Sequence, residues 1–162
     1  MDSPPPVEPR FHLVLHQPEI PPNTGTAIRL AAASGAALHL IGPLGFRLDG
    51  AAVKRAGMDY REMASVTRHD DWSAFREKLP TGARLIAFTT KGETPYHQVR
   101  FQPGDRLLFG SEGSGLPPDV LKAADATARI PMRPGTRSLN LAMSVGIVLY
   151  EALRQAGYPD LE

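Results

Sequence analysis

The chain has 162 residues, of which 42% are hydrophobic and 22% charged, a balance that is ordinary for one globular domain with its own core. It contains no cysteine, which excludes disulfides, thiolate metal ligands and a cysteine nucleophile. The formal net charge of +1 predicts that a nucleic acid, if one is bound, contacts local clusters of Lys and Arg rather than a generally basic surface.

The first ten residues are rich in proline and have no apolar segment, so they do not resemble a signal peptide. We expect residues 1–10 to form a disordered leader and residues 11–162 to form a single domain. No apolar run is long enough to span a bilayer, which predicts a protein without a membrane partner. These features together predict a cytoplasmic location.

Short apolar runs alternate along the chain with segments of helical character. The predicted strands are residues 11–16, 36–41, 63–68, 84–90, 105–110 and 127–131. The predicted helices are residues 24–34, 50–56, 117–124 and 138–155, together with a helix that ends at Lys78 and is capped by Asp70 or Asp71. Gly35 and Gly57 follow two of these helices as stop signals. The alternation predicts an α/β domain whose mostly parallel sheet is flanked by helices on both faces.

Three polar loops follow predicted strands, at residues 17–23, 110–116 and 131–140. Ligands of parallel α/β sheets bind beyond the carboxyl ends of the strands. The last of these loops is rich in Pro and Gly and leads directly into an apolar helix, which predicts a rigid loop that cradles a ligand.

Several familiar motifs fail on inspection. The glycines of residues 110–115 have the outer spacing of a phosphate-binding loop, but Leu116 and Pro117 stand where a Lys and a Ser or Thr are required. His12 and His16 lie on a predicted strand, which separates them too widely for a shared metal ion, so no metal is expected. No Gly-x-Ser-x-Gly nucleophile elbow is present.

Basic residues leave two interpretations open. Arg29 lies on a helix otherwise made of Ala, Ile and Leu, where it is either solvated or paired with an anionic partner. A second group of cations is either a solvated face balanced by nearby carboxylates or a surface for an RNA backbone. Its members are Arg47, Lys54, Arg55, Arg61 and Arg68, with Tyr60 and Trp72 between them.

Three segments resemble the signature motifs of the SPOUT methyltransferases. They are residues 18–25 with Arg29, residues 109–117, and residues 130–141. Within that superfamily the chain is most similar to the small tRNA (cytidine(34)-2′-O)-methyltransferases, a similarity that extends to residues 55–60, 66–69 and 89–92. The resemblance covers about residues 11–158.

The resemblance implies the SPOUT α/β-knot fold, in which the C-terminal segment passes through a loop to form a deep trefoil knot. It implies S-adenosyl-L-methionine as the cofactor, bound in a bent shape by the loop at residues 130–140. The cofactor-binding residues carried over by position are Phe88, Thr89, Gly110, Gly115, Ile130, Met132, Ser138 and Leu139. The catalytic set carried over in the same way is Arg29, Asn23, Glu112, Ser138 and Asn140.

The implied reaction is methylation of the ribose 2′ hydroxyl of the wobble nucleotide of tRNA, a cytidine or modified uridine at position 34. A hydroxyl is a weak nucleophile, so it needs alignment and stabilisation of its developing charge. Since a guanidinium stays protonated, Arg29 is expected to orient the RNA and stabilise the oxyanion, and Glu112 to organise the site. The alternatives are a methyltransferase for rRNA or another tRNA position, and a non-catalytic RNA-binding knot protein.

The resemblance also implies a homodimer that packs through the first and last helices. The faces expected at this interface are the Ala-rich residues 27–33 and the apolar residues 141–153.

Overall fold

The computed structural model describes residues 8–55 and 61–162 of the chain. Three expectations therefore fall partly or wholly outside the described residues. They are the disordered leader at residues 1–10, of which 1–7 are not described, the helix end at residue 56 with its stop at Gly57, and the similarity at residues 55–60, which includes Tyr60 of the basic group. The assignment of residues 11–162 to a single domain stays a prediction.

The described residues contain strands and helices in the order that the sequence predicts. The strands are β1 (His12–His16), β2 (Ala37–Ile41), β3 (Val66–His69), β4 (Leu85–Phe88), β5 (Thr94–Pro95), β6 (Arg106–Phe109) and β7 (Ala126–Arg129). The helices are α1 (Pro21–Ser34), α2 (Gly50–Arg55), α3 (Trp72–Lys78), α4 (Pro118–Ala123) and α5 (Leu141–Gln155). Short 3₁₀ turns lie at Glu62–Ser65 and Tyr96–Gln98.

The seven strands form one sheet in the order β3-β2-β1-β6-β4-β7-β5, and every strand pair described is parallel. Alternate residues of β1 point to opposite faces, as the pleat of a strand requires. Leu13 and Leu15 pack in the core that contains α1 and α5, whereas Val14 packs with Phe75 and Val120 of α3 and α4. The predicted parallel sheet with helices on both faces is confirmed.

Two predicted helix starts are wrong by about one turn. Helix α1 begins at Pro21 rather than at residue 24, because its two leading prolines occupy positions whose N–H groups have no helical partner in any case. Helix α5 begins at Leu141 rather than at residue 138, because the side chain of Asn140 accepts the N–H of Met143 and acts as the N-cap. Ser138 and Leu139 therefore belong to the preceding loop.

The third predicted strand is also shorter than expected. Residues 62–65 form a 3₁₀ turn, and the strand starts only at Val66. The two-residue strand β5 was not predicted, because Thr94 and Pro95 give no alternating pattern. The other bounds agree to within a few residues, including the caps at Asp71 and Gly35.

The deep trefoil knot remains a prediction from the resemblance. The parallel order of the strands has one consequence that the site needs, since it brings the carboxyl ends of β1, β6, β4 and β7 side by side at one edge. In the described part of the chain, no helix has the length and apolar character needed to cross a bilayer.

Candidate active site

A cavity of about 640 Å³ opens at this edge of the sheet, a size typical of small-molecule sites. It lies between the loops that follow β1, β4, β6 and β7. All eight residues predicted to bind the cofactor line it, as do four of the five predicted catalytic residues. The lining members of the second set are Asn23, Glu112, Ser138 and Asn140.

One wall of the cavity is apolar. Phe88 ends β4, and its ring stacks on Phe109 at 5.1 Å between centroids and 14° between planes. Ile130, Met132 and Leu139 line the same cavity from the loop after β7. Leu139 is one of the few large apolar side chains that are exposed in the described part of the chain, so a ligand in the cavity would bury surface that is now in water.

The loop after β6 is a tight turn that depends on Gly110. The N–H of Gly115 donates to the carbonyl of Ser111 at 3.0 Å, and the hydroxyls of Ser111 and Ser114 are 2.8 Å apart. A Cβ on Gly110 would lie 2.3 Å from the carbonyl carbon of Gly115 and 2.5 Å from the nitrogen of Leu116. The loop can close in this way only because Gly110 has no side chain.

Glu112, at the tip of this loop, caps helix α1 from 92 residues away in sequence. Its Oε1 accepts the N–H of Glu19 at 2.9 Å, and its Oε2 accepts the N–H of Ile20 at 2.7 Å and the Nδ2 of Asn23 at 3.2 Å. A carboxylate at a helix N-terminus also interacts favourably with the helix dipole.

These contacts keep Glu112 ionised. Partial burial opposes the charge, but the backbone N–H groups of Glu19, Glu112 and Ile20 and the amide of Asn23 outweigh it and lower the pKa of the Glu112 carboxyl below its ordinary value. The side chain is therefore an acceptor of several hydrogen bonds at neutral pH, and it links the loop after β6 to the start of α1 and the residues before it.

Asn23 joins these contacts to helix α5. Its Oδ1 accepts the Nδ2 of Asn140 at 3.0 Å, while the Oδ1 of Asn140 accepts the N–H of Met143. Asn23 is 7% exposed, so the chain of hydrogen bonds is partly shielded from water. A continuous path of polar contacts thus links the loops after β1, β6 and β7.

Arg29 forms an ion pair with Glu62. Arg29 is not among the residues that line the cavity, and its Nε lies 3.4 Å from Oε2 of Glu62 in the first 3₁₀ turn. Its side chain is 65% exposed. The side chains of Glu112, Asn23 and Asn140 bond one another. The role of these residues and of Ser138 toward Arg29 stays a prediction.

The sequence missed some of the cavity lining. Thr90 and Lys91 line it directly after β4, and Ser144 lines it from the first turn of α5. Lys91 could have been found from the rule that ligands meet the loops at the carboxyl ends of strands, since it follows a predicted buried strand. The pairing of Glu62 with Arg29 joins residues 33 positions apart and has no local signal.

Three histidines form a row on the sheet, away from the cavity lining. His12 Nδ1 lies 3.0 Å from His39 Nε2, and His39 Nδ1 lies 2.9 Å from His69 Nε2, with stacked rings at 5.2 Å. Burial and Arg106 lower the pKa of His12 to about 4. Burial, the two neighbouring rings and Arg106 lower the pKa of His39 to about 3, and burial with Lys78 lowers the pKa of His69.

A neutral imidazole donates through one nitrogen and accepts through the other, so neutral rings suit this row. In residues 8–55 and 61–162, no group of three His, Asp or Glu side chains has an arrangement that could hold a metal ion.

The model of the SpoU rRNA Methylase family matches residues 10–150. The chain belongs to the SpoU methylase family. A curated relative from Burkholderia ambifaria, the tRNA (cytidine(34)-2′-O)-methyltransferase, is 54% identical over 151 residues, which are 91% of this chain and 97% of the relative.

Solved structures of SpoU methylases and related proteins share the fold. One, described as giving insights into the 2-OH methylation of C/U34 on tRNA, has a TM-score of 0.84 and 52% identity, with 91% of this chain and 96% of that chain covered. An AdoMet-bound rRNA methyltransferase from Sinorhizobium meliloti has a TM-score of 0.78 and 32% identity, with 92% of this chain and 57% of the other covered.

Proposed function

We propose that this SpoU methylase is a tRNA 2′-O-methyltransferase that uses S-adenosyl-L-methionine to methylate the ribose of nucleotide 34, a cytidine or modified uridine. The observation that carries the proposal is the hydrogen-bonded path Glu112–Asn23–Asn140 beside an apolar cavity. A relative 54% identical over nearly its whole length is named for this activity, which supports the choice of substrate.

The residues of the cavity fit the cofactor chemically. Phe88, Ile130 and Leu139 supply apolar surface for an adenine ring, and the Gly110 loop presents backbone groups without a side chain in the way. When bound, the cofactor supplies a methyl group on a sulfonium that an oxygen nucleophile can accept. The chain itself would bind and orient that group, and the apolar wall would exclude water from it.

The polar path is proposed to position the RNA ribose. Asn23 and Asn140 are held by each other and by Glu112, so their orientation is fixed before the substrate arrives. Ser138 is exposed at the cavity and lies two residues before Asn140, where its hydroxyl could contact either ligand. Glu112 acts as the organiser of these groups, because both of its carboxylate oxygens accept hydrogen bonds from the chain.

Arg29 is proposed to bind a phosphate of the RNA and to stabilise negative charge on the reacting oxygen. Arg29 forms an ion pair with Glu62, and the side chain of Arg29 is 65% exposed. Exposed ion pairs contribute only about 0–1 kcal/mol to the stability of a fold. A phosphate can therefore compete with that carboxylate for the guanidinium. The guanidinium stays protonated, so it acts as a donor and not as a base.

We propose a homodimer that packs through an apolar stripe on α5. Met143 is 63% exposed and Tyr150 is 39% exposed, and residues 143, 147 and 150 share one face of the helix. Residues 27 and 31 of the expected interface are instead buried in the core of the chain itself. In sedimentation velocity, Met143→Glu should shift the protein to monomers, whereas Tyr158→Glu, at another exposed aromatic residue, should leave dimers intact.

The second candidate function is methylation of rRNA. The description of the matching family and the Sinorhizobium neighbour both favour it, but that neighbour is 32% identical against 54% for the tRNA enzyme. A non-catalytic RNA-binding role fits less well, because it does not require the ordered polar path beside the cavity.

We further propose that residues 11–162 act as a single domain in the cytoplasm.

Methyl transfer from labelled cofactor separates these functions. The purified protein is incubated with total tRNA and, in parallel, with 16S and 23S rRNA lacking modification. Label in tRNA alone supports the proposal, whereas label in rRNA alone supports the second candidate. Binding of RNA or cofactor without transfer of label to either would favour the non-catalytic role.

A further inference from the structure

Among the described residues that line the cavity, one is a cation and one is an anion. The anion, Glu112, accepts hydrogen bonds from Glu19, Ile20 and Asn23, so its charge is already compensated by the chain. The cation is Lys91, and no carboxylate of the described residues forms an ion pair with it. The cavity therefore presents an uncompensated positive charge to whatever binds there.

The loop that carries Lys91 is held firmly against strand β7. The N–H of Thr89 donates to the carbonyl of Ala128 at 3.0 Å, and the N–H of Gly92 donates to the carbonyl of Thr89 at 3.0 Å. Arg129 donates through Nη1 to the carbonyls of Gly92 and Glu93, each at 2.8 Å.

Gly92 lets this loop approach β7 closely. A Cβ at that position would lie 2.0 Å from the carbonyl oxygen of Ala128, a distance that no side chain tolerates. The backbone on both sides of Lys91 is therefore fixed, so the loop itself loses little backbone entropy when a ligand binds.

Lys91 lies on the side of the cavity away from Asn23. Lys91 follows β4, Asn23 follows β1, and β6 lies between those strands. Two strand spacings amount to about 10 Å. An anion bound by Lys91 is therefore about two strand spacings from Asn23, although the loops after β6 and β7 flank β4. We assign that anion to the ligand of the apolar wall that Phe88 of β4 forms.

We propose that Lys91 binds the carboxylate at the amino-acid end of S-adenosyl-L-methionine, a role that rests on the methyltransferase function proposed above. The contact is a charge-assisted hydrogen bond between an ammonium and a carboxylate. A phosphodiester of the RNA offers the same kind of oxygen, so the experiment has to distinguish these two sources of negative charge.

Calorimetric titration with two ligands provides the test. S-adenosylhomocysteine carries the amino-acid end, whereas 5′-methylthioadenosine has the same nucleoside without it. Lys91→Gln should weaken binding of S-adenosylhomocysteine by roughly tenfold to a hundredfold, the size of one charge-assisted hydrogen bond, and leave binding of 5′-methylthioadenosine unchanged. Lys91→Arg should restore most of the loss, and Lys122→Gln, an exposed lysine outside the cavity lining, should change neither.

The remaining outcomes overturn the proposal in distinguishable ways. Equal loss for both ligands, or no loss for either, would show that Lys91 does not contact the carboxylate. A Lys91→Gln protein that binds both ligands normally but binds tRNA more weakly, with a shallower salt dependence, would assign Lys91 to an RNA phosphate. A wild-type protein that binds neither ligand would instead contradict the proposed function itself.

Discussion

Arg29 is the residue whose position differs most from the sequence-based expectation. It lies outside the cavity lining and pairs with Glu62, yet it is exposed and within the motif that resembles the SPOUT signature. Its proposed role requires contact with RNA and not with the cofactor. That separation of roles can be measured.

Replacement of Arg29 should abolish transfer without affecting the cofactor. Arg29→Ala is expected to lower kcat/KM by at least about 100-fold, the usual cost of losing a group that stabilises a developing oxyanion. The dissociation constant of the cofactor should stay within about threefold of the wild-type value. Such a change in binding free energy is well below 1.4 kcal/mol, which would correspond to a tenfold change. Arg100→Ala is the control, because Arg100 is also an exposed arginine and lies outside both the cavity lining and the group of cations that could contact RNA. Full activity of Arg29→Ala would contradict the assigned role.

Replacement of Glu112 should reduce the stability of the fold, and it should not alter a proton-transfer step of the reaction. Glu112→Gln leaves the N–H groups of Glu19 and Ile20 competing for one carbonyl oxygen, and we expect a loss of about 1–3 kcal/mol in the free energy of unfolding. Urea denaturation measures this loss, with Glu77→Gln on the exposed surface of α3 as the control. The pH dependence of the remaining activity should keep its shape. Loss of one limb of that profile would show that Glu112 acts as an acid or base.

At the scale of elements, the sequence predicts the strands and helices well and their contacts poorly. Buried strands such as residues 85–88 are continuous apolar runs, and caps such as Asp71 act within three residues, so both leave local signals. The cap of α1 is different, because Glu112 supplies it from a distant loop. No pattern near Ile20 could indicate that contact.

The position of the site in the fold can be predicted from the sequence, because it follows from the order of strands and loops. Parallel strands place their carboxyl ends together, so the three loops that are polar in sequence meet in space. The eight cofactor residues that the resemblance implies line the cavity at that edge. Side-chain partners across that cavity, such as Asn140 with Asn23, depend on packing and could be identified only as members of a set.

The loop after β6 should be sensitive to one added methyl group. Gly110→Ala brings a Cβ within 2.5 Å of backbone atoms of residues 115 and 116, so the turn must open. We expect the affinity for S-adenosylhomocysteine to fall at least about tenfold, equivalent to roughly 1.4 kcal/mol, in calorimetry. Gly45→Ala, where a Cβ would meet nothing within 4 Å, should bind normally. Normal binding by Gly110→Ala would show that the loop does not shape the cofactor site.

At the scale of the whole molecule, the histidine row couples stability to pH. His12 and His39 have pKa values of about 4 and about 3 in the folded chain, below the ordinary value of 6.5. At pH values between these folded-state pKa values and 6.5, the unfolded chain binds more protons than the folded chain. Stability should therefore fall as the pH drops from about 6.5 towards 3, by up to about 1.4 kcal/mol per pH unit for each excess proton.

Urea denaturation at several pH values tests this coupling. His39→Gln removes the central ring and should flatten the dependence between pH 6.5 and 4, whatever its effect on stability at pH 7. His97→Gln, at an exposed histidine outside the row, should retain the wild-type slope. Equal slopes for His39→Gln and the wild type would contradict the assignment of the acid sensitivity to the row.

The central claim is that this SpoU methylase methylates the 2′ oxygen of nucleotide 34. The most direct measurement uses two otherwise identical tRNAs, one with a ribose and one with a 2′-deoxyribose at position 34 only. We predict that label from S-adenosyl-L-methionine enters the first tRNA, at nucleotide 34, and is absent from the second. Equal labelling of both, or label mapped to another nucleotide, would contradict the account.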